Sequence, residues 1–403
     1  MRALAGERVH HGTTSFPPEI ALVLRCAAVG GDGAIALDPA SFASVEDWPA
    51  VFGYAAKHAI AALVAKALDR APQTVVPSGI RDQFHEMARQ SAMRGLQLAA
   101  ELLAVLKEFE SASVKAIPIK GPTFAMLLYG DLSLRAYEDL DILVHERDLE
   151  RAVAALQMIG YRFRDALSSS QRQTLAANAY HVGFVHDHDG TNLELHWLLN
   201  HRTLAHPELE ARWWKHSQSL TLGGMVVRTL APDEILLYLC MHGGKHSWAR
   251  LNWLCDLRQA LRSYPDADWR AIWRAADRNG VARMVATGLA LVDELLDGTS
   301  LTARPNSGRP LDSGVKPLVL AISERLMRPG TEPREVDFLT QFWMRERFWD
   351  RMRYAAHVLG VPHHADVAQL GLPPSMRRMY YILRPARLAW KHLLQRAHRT
   401  GAV

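Results

Sequence analysis

Residues 135–144 read Arg-Ala-Tyr-Glu-Asp-Leu-Asp-Ile-Leu-Val. The last six, Asp139 to Val144, carry an apolar tail suited to a buried strand. Side chains alternate between the two faces of a strand. Asp139 and Asp141 therefore point one way, while Leu140, Ile142 and Val144 point into a core. Two carboxylates on one face can share a divalent cation, and Mg2+ prefers a few carboxylates plus phosphate oxygens and water. The pair suits a two-metal site, in which the ions hold both the attacking and the leaving oxygen of a displacement. A bare Asp-x-Asp is more often a cap and a solvated strand residue, so its neighbours decide its meaning.

Upstream, VKAIPIK (114–120) predicts a short buried strand that ends at Lys120-Gly121-Pro122. Pro122 suits the first turn of a helix, PTFAMLLYG (122–130) supplies that helix, and Gly130 closes it. At such a turn glycine lets the backbone approach a phosphate, the helix start favours an anion, and Lys120 adds a point charge. Downstream, Glu146 to Ile159 predicts an amphipathic helix stopped by Gly160, followed by a strand at 161–163. YHVGFVHDHDGTNLELHWLL (180–199) predicts two strands joined by a hairpin turn at Asp187–Gly190. In its second strand Glu194 and His196 share one face, and Leu193, Leu195 and Trp197 share the other. Glu194 is thus a third carboxylate on a neighbouring strand.

The flanks read as helical. A helix is expected at Pro18–Ala28, a continuous helical pattern over Val45–Arg70, and a long helix over Ile80–Ser111. LTLGGMVVRTL (220–230) predicts a hairpin turning at Gly223-Gly224, and Pro232-Asp233-Glu234 begins a further helix. The organisation expected is a helical region at 1–111, a small α/β core at 112–230, a helical region at 231–300, a linker at 301–316 and a helical region at 317–403. The fold class is α+β: a small mixed-sheet core embedded in a largely α-helical protein.

Composition agrees with a folded chain and narrows its partners. Of 403 residues, 49% are hydrophobic and 22% charged, enough for a sizeable core. The 47 Lys and Arg nearly cancel the 42 Asp and Glu, leaving a formal charge of +5. The arginines are spread along the chain, which argues against a nucleic-acid partner but is compatible with an anionic small ligand. The three cysteines, Cys26, Cys240 and Cys255, fit neither a disulfide framework nor a zinc site. The apolar runs are too short for a transmembrane segment, and the cytoplasm is the expected location.

Taken together, IKGPTFAMLLYGDLSLRAYEDLDILV (119–144) and LELHW (193–197) resemble the nucleotidyltransferases of bacterial biosynthetic gene clusters, within the DNA polymerase beta-like superfamily. The resemblance implies transfer of a nucleoside monophosphate from an NTP to an acceptor, with release of pyrophosphate. It assigns the metals, Mg2+ or Mn2+, to Asp139, Asp141 and Glu194, with Glu194 helping to activate the acceptor hydroxyl. The wider superfamily opens its site with Gly-Ser. Here Lys120-Gly121-Pro122 stands instead, which leaves the phosphates to Lys120, the Gly121 amide and Arg135.

Other residues carry two readings each. Arg135 either stabilises charge on the transferring phosphate or pairs with Glu138 or Asp139. His196 either orients a metal ligand or packs in the core beside Trp197. Lys245, His246 and Arg250 either line the phosphate or acceptor side of a cleft or belong to a helix-pair packing motif with Trp248, Leu251, Trp253 and Leu254 in its core and Asp256 as a buried partner. His242 and His246 lack the glutamate of a zinc-binding H-E-x-x-H helix. ATP is the nucleotide expected first, on abundance alone. The acceptor, a peptide, small metabolite, sugar or protein side chain, is open. The rival expectations are a non-catalytic nucleotide- or peptide-binding accessory protein and a hydrolase or kinase-like phosphotransferase using the same metal site.

Overall fold

The structure is a computed structural model that describes residues 16–30, 37–72, 74–165, 167–168, 171–172, 175, 179–296, 301, 312–328, 337–362, 364–370, 372, 374–376 and 378–388. Most of the expected linker at 301–316 and the end of the last expected helix lie outside the described residues. The chain forms two compact units, each assembled from separate stretches: 1–103, 120–138 and 216–346 in one, and 104–119, 139–215 and 347–403 in the other. The class is α+β, as expected, with a mixed five-stranded sheet, a two-stranded sheet and many helices.

The sheet unit is built on β1 (Ala116–Pro118), β2 (Asp139–Val144), β3 (Tyr161–Phe163), β4 (His181–His186) and β5 (Asn192–His196), in the order β1-β2-β5-β4-β3. The β2–β5 pair is parallel and the other pairs antiparallel. Leu140, Ile142, Val144, Phe184, Leu193 and Leu195 are at most 1% exposed. Burying each such side chain contributes about 1.5–3 kcal/mol, so their period-2 spacing fixes which face of the sheet is dry. The β4–β5 turn is held by Asp189, which accepts from the Thr191 amide and hydroxyl at 3.0 Å each. A 3-10 turn at Glu146–Asp148 leads into α6 (Leu149–Met158), which packs against β3.

The helical unit contains α1 (Pro18–Gly30), α2 (Trp48–Lys57), α3 (Ala61–Leu68) and the first part of α4 (Ser78–Ser111). The expected helix after Lys120-Gly121 is present but distorted: α5 (Pro122–Phe124) runs straight into a π-helical turn, Ala125–Tyr129. The sheet unit contributes α7 (Pro207–Lys215). The helical unit continues with the β6–β7 hairpin (Ser217–Leu222, Met225–Leu230), α8 (Pro232–Lys245), α9 (Leu251–Ser263), α10 (Trp269–Asn279) and α11 (Ala282–Leu296).

The continuous helical pattern over 45–70 is in fact two helices. Ala59 takes a left-handed backbone (φ 56°), and the amides of Ala59 and Ile60 return to the carbonyls of Ala56 and Ala55 at 3.0 Å. This is the paired hydrogen bonding of a Schellman end, made without the usual glycine.

Helix α8 ends the same way. Ser247 (φ 55°) is left-handed, and the amides of Ser247 and Trp248 return to Gly244 and Gly243 at 3.0 and 2.7 Å. The chain thereby folds the fully buried Trp248 ring back onto Gly243, where an added Cβ would meet the ring at 2.3 Å. The Gly-Gly pair costs helix propensity but makes room for this indole. Gly243→Ala is therefore expected to lower stability by about 1–3 kcal/mol, the usual cost of overpacking, despite the better helix former. Chemical denaturation of the two proteins checks it; a stabilised variant would contradict the packing role.

Candidate metal centre

The β2–β5 register decides the site. Asp141 stands opposite Glu194, Asp139 opposite Asn192 and Leu143 opposite His196. On the far side of β5, Glu194 pairs with Gly183 and His196 with His181. Alternation therefore collects Asp139, Asp141, Glu194, His196 and His181 on the face opposite the dry one.

Their side chains converge. His196 Nε2 lies 2.9 Å from Asp141 Oδ1 and 3.5 Å from Glu194 Oε2. The Asp141 side chain is 1% exposed and that of His196 7%, while Glu194 is more open at 20%. Burial alone would hold the His196 imidazolium below its ordinary pKa, but the hydrogen bonds and charges of Asp141 and Glu194 raise it above that value. His196 Nδ1 is buried with no hydrogen-bond partner among the described residues.

Glu194 is also gripped from the other side. Arg164 Nη2 donates to Glu194 Oε1 at 3.0 Å, and His181 Nε2 lies 3.7 Å from Glu194 Oε2. Gly183 makes the arginine's path possible, since an added Cβ would meet its guanidinium at 2.8 Å. The His181 and His196 rings stack with centroids 5.1 Å apart, and Tyr180 meets His181 edge-on at 4.2 Å. Sequence reading passed over Arg164, His181 and Tyr180. The signal that finds them is strand alternation carried one strand further, once the hairpin register is known.

Asp141, Glu194 and His196 each offer a ligand atom, all within 4.8 Å of one another, and form a group that can hold a metal ion. Two carboxylates and an imidazole are donors that suit a divalent cation, with His196 Nε2 able to join them only once it has lost the proton it donates to Asp141 at 2.9 Å. Asp139, half-buried and one register step away, is not among these three.

In the helical unit, Arg135 Nε donates to Asp256 Oδ2 at 2.9 Å and Tyr129 Oη to Asp256 Oδ1 at 3.0 Å. Burial pushes the Asp256 carboxyl up against the pull of Arg135. The same carboxylate offsets the burial of the guanidinium and holds Arg135 above its usual range. The partner of Arg135 is thus Asp256, and its Nη1 is buried without a partner among the described residues.

His242, His246 and Trp253 form a ring cluster with centroid separations of 4.7 to 5.4 Å. The surrounding protein holds His242 well below its ordinary pKa, first by desolvation and then by the positive neighbours His246, Lys120, Lys245 and Arg135. Trp248, Leu251 and Leu254 are fully buried, while Trp253 is half-buried. Gly121 takes φ 70°, a conformation in which a side chain would be strained.

Residues 44–297 match the model of a family described as uncharacterised nucleotidyltransferase. No curated protein and no solved structure matches the chain. Among the described residues, no helix is long and apolar enough to cross a membrane.

Proposed function

We propose that this chain, which belongs to the uncharacterised nucleotidyltransferase family, transfers a nucleoside monophosphate from an NTP to an acceptor hydroxyl in a metal-dependent reaction. The observation that carries the reading is the parallel β2–β5 register, which sets Asp141 opposite Glu194 with His196 beside both.

In this reading the acceptor oxygen forms a bond to the α-phosphorus, the bond to the pyrophosphate oxygen breaks, and the hydroxyl proton passes to Glu194. Mg2+ or Mn2+ bound by Asp139, Asp141 and Glu194 would supply charge neutralisation at the reacting phosphate. His196 donates to Asp141 and fixes its rotamer, as partners of metal-binding carboxylates commonly do. Arg164 and His181 hold the Glu194 carboxylate in place. Lys120, the Gly121 amide and Arg135 are assigned to the phosphates, ATP being the first nucleotide to try, and Lys245, His246 and Arg250 to the phosphate or acceptor side. The cytoplasm is the proposed location.

The test is calorimetric titration of each NTP with Mg2+ and Mn2+, followed by product analysis. Metal-dependent micromolar binding with pyrophosphate as product is the expected result. Release of phosphate or ADP would replace nucleotidyl transfer by a hydrolase or phosphotransferase, and binding without turnover on any acceptor would favour an accessory binding protein.

The donor set also bears on the metal. Imidazole suits transition metals better than Mg2+. If His196 Nε2 joins the ligands, Mn2+ binds more tightly than Mg2+, and His196→Asn narrows the difference by about tenfold. Equal Mn2+ and Mg2+ affinities in both proteins would confine His196 to orienting Asp141.

A further inference from the structure

The formal charge of +5 is unevenly distributed along the chain. Residues 347–403 hold ten Lys and Arg against two Asp, whereas residues 1–346 hold more acidic than basic side chains. Both aspartates are already matched: Asp350 accepts from Arg353 at 3.1 Å, and the buried Asp366 pairs with Arg384 and Arg387. The same segment exposes apolar side chains at helical spacing. In the helix Phe348–Gly360, Phe348, Met352, Ala355 and Leu359 form one stripe, exposed at both ends and half-buried between. Trp349 beside it is 79% exposed. The helical stretch 379–388 touches the end of this helix, where Arg384 Nε donates to the Val358 carbonyl at 3.0 Å. Its arginines turn inward to Asp366, and Met379, Ile382 and Ala386 are left on the exposed face, Ile382 at 73%. A surface helix normally does the reverse, and an apolar face turned to water marks a contact surface.

We propose that the helix Phe348–Gly360 and the stretch 379–388 form a peripheral docking surface for an anionic lipid bilayer. Their apolar side chains sit in the headgroup layer, and the basic side chains of the segment meet lipid phosphates. Surfaces of this kind bind through buried apolar area together with attraction to anionic lipid, and each Lys or Arg near the bilayer adds to that attraction. Two features choose lipid over other partners. A nucleic acid offers phosphates and stacked bases, but nothing that covers the aliphatic side chains of Leu359, Met379 and Ile382. A second copy of the chain would bring the same local excess of +8 to the contact, and like charges repel. Binding to a bilayer does not depend on nucleotidyl transfer, and its readout needs no turnover.

The experiment is co-sedimentation of the full chain with vesicles of phosphatidylglycerol and phosphatidylcholine, against vesicles of phosphatidylcholine alone. Wild type is expected to bind the anionic vesicles at least about tenfold more tightly than the neutral ones. The difference should shrink at about 1 M salt, where charges are screened within about 3 Å. Trp349→Ser/Ile382→Ser changes two exposed positions and no charge, so circular dichroism should match wild type. It is expected to weaken binding to the anionic vesicles by at least about tenfold. Should it fail to fold, Phe348→Ser/Leu359→Ser, at the exposed ends of the stripe, takes its place. The proposal is overturned if wild type stays in the supernatant with anionic vesicles, or if the folded serine variant binds them as tightly as wild type, which would reduce the contact to charge alone. Tighter binding to a DNA duplex than to vesicles at equal phosphate, or a dimer that the serine variant abolishes with no vesicle binding, would overturn it in favour of those partners.

Discussion

Asp141→Asn is expected to weaken Mn2+ binding by at least about 100-fold and to cut NTP-dependent pyrophosphate release by about a thousandfold. The second figure follows from the several kcal/mol of charge stabilisation that a bound cation supplies. Asparagine matches aspartate in shape, which matters at a side chain 1% exposed. Its amide oxygen can still accept the hydrogen bond that His196 Nε2 gives to Oδ1, so the fold should survive and circular dichroism should be unchanged. Only the charge and one anionic donor are lost. Asp139→Asn sharpens the test, because Asp139 lies opposite Asn192 and outside the three-ligand group. With metal alone, it should weaken Mn2+ binding much less than Asp141→Asn. With ATP and metal together, a two-metal site predicts comparable losses for both variants. If Asp141→Asn binds Mn2+ as wild type does, this face of the sheet is not a metal centre.

The elements that were legible in the sequence are those whose pattern is local. Period-2 alternation placed Asp139 and Asp141 on one strand face and Glu194 with His196 on another, and β2 and β5 have that alternation. The Asp187–Gly190 turn was legible because Asp, Gly and Thr favour such turns, and Asp189 indeed caps it. The β6–β7 hairpin was legible from Gly223-Gly224, both at positive φ. What escaped was set by contacts distant in sequence. The parallel pairing of β2 with β5 joins residues more than fifty positions apart, so the opposition of Asp141 and Glu194 was an expectation about faces with no register behind it. The left-handed ends at Ala59 and Ser247 carry no glycine, so the usual stop signal was missing. Arg135 was expected to act on phosphate or to pair with Glu138 or Asp139. Its partner, Asp256, lies 121 residues away.

That distant pair sets the largest stability effect expected here. Arg135 and Asp256 have side chains 6% and 1% exposed and meet at 2.9 Å, with Tyr129 completing the carboxylate's shell. Charges so buried are tolerated only while they are paired. Asp256→Ala removes the counter-charge from a guanidinium whose Nη1 already has no partner among the described residues, and removes the acceptor of the Tyr129 hydroxyl as well. Breaking one side of such a pair costs about 3–5 kcal/mol, mostly as the penalty of the charge left behind. The double variant Arg135→Met/Asp256→Leu removes both charges at similar volume, and replacements of this kind are often neutral. Tyr129 loses its acceptor in both variants, at a cost of about 1–3 kcal/mol, so the expected order of denaturation midpoints is wild type, then the double variant, then Asp256→Ala, which also leaves a charge unpaired. Function should separate the same proteins differently. If Arg135 also serves the phosphates, the double variant stays folded and more stable than Asp256→Ala yet loses NTP affinity, since no hydrophobic residue replaces a cation at a phosphate. A double variant that stays folded and retains NTP affinity would restrict Arg135 to tying the 129–135 segment to α9, and would leave phosphate charge to Lys120.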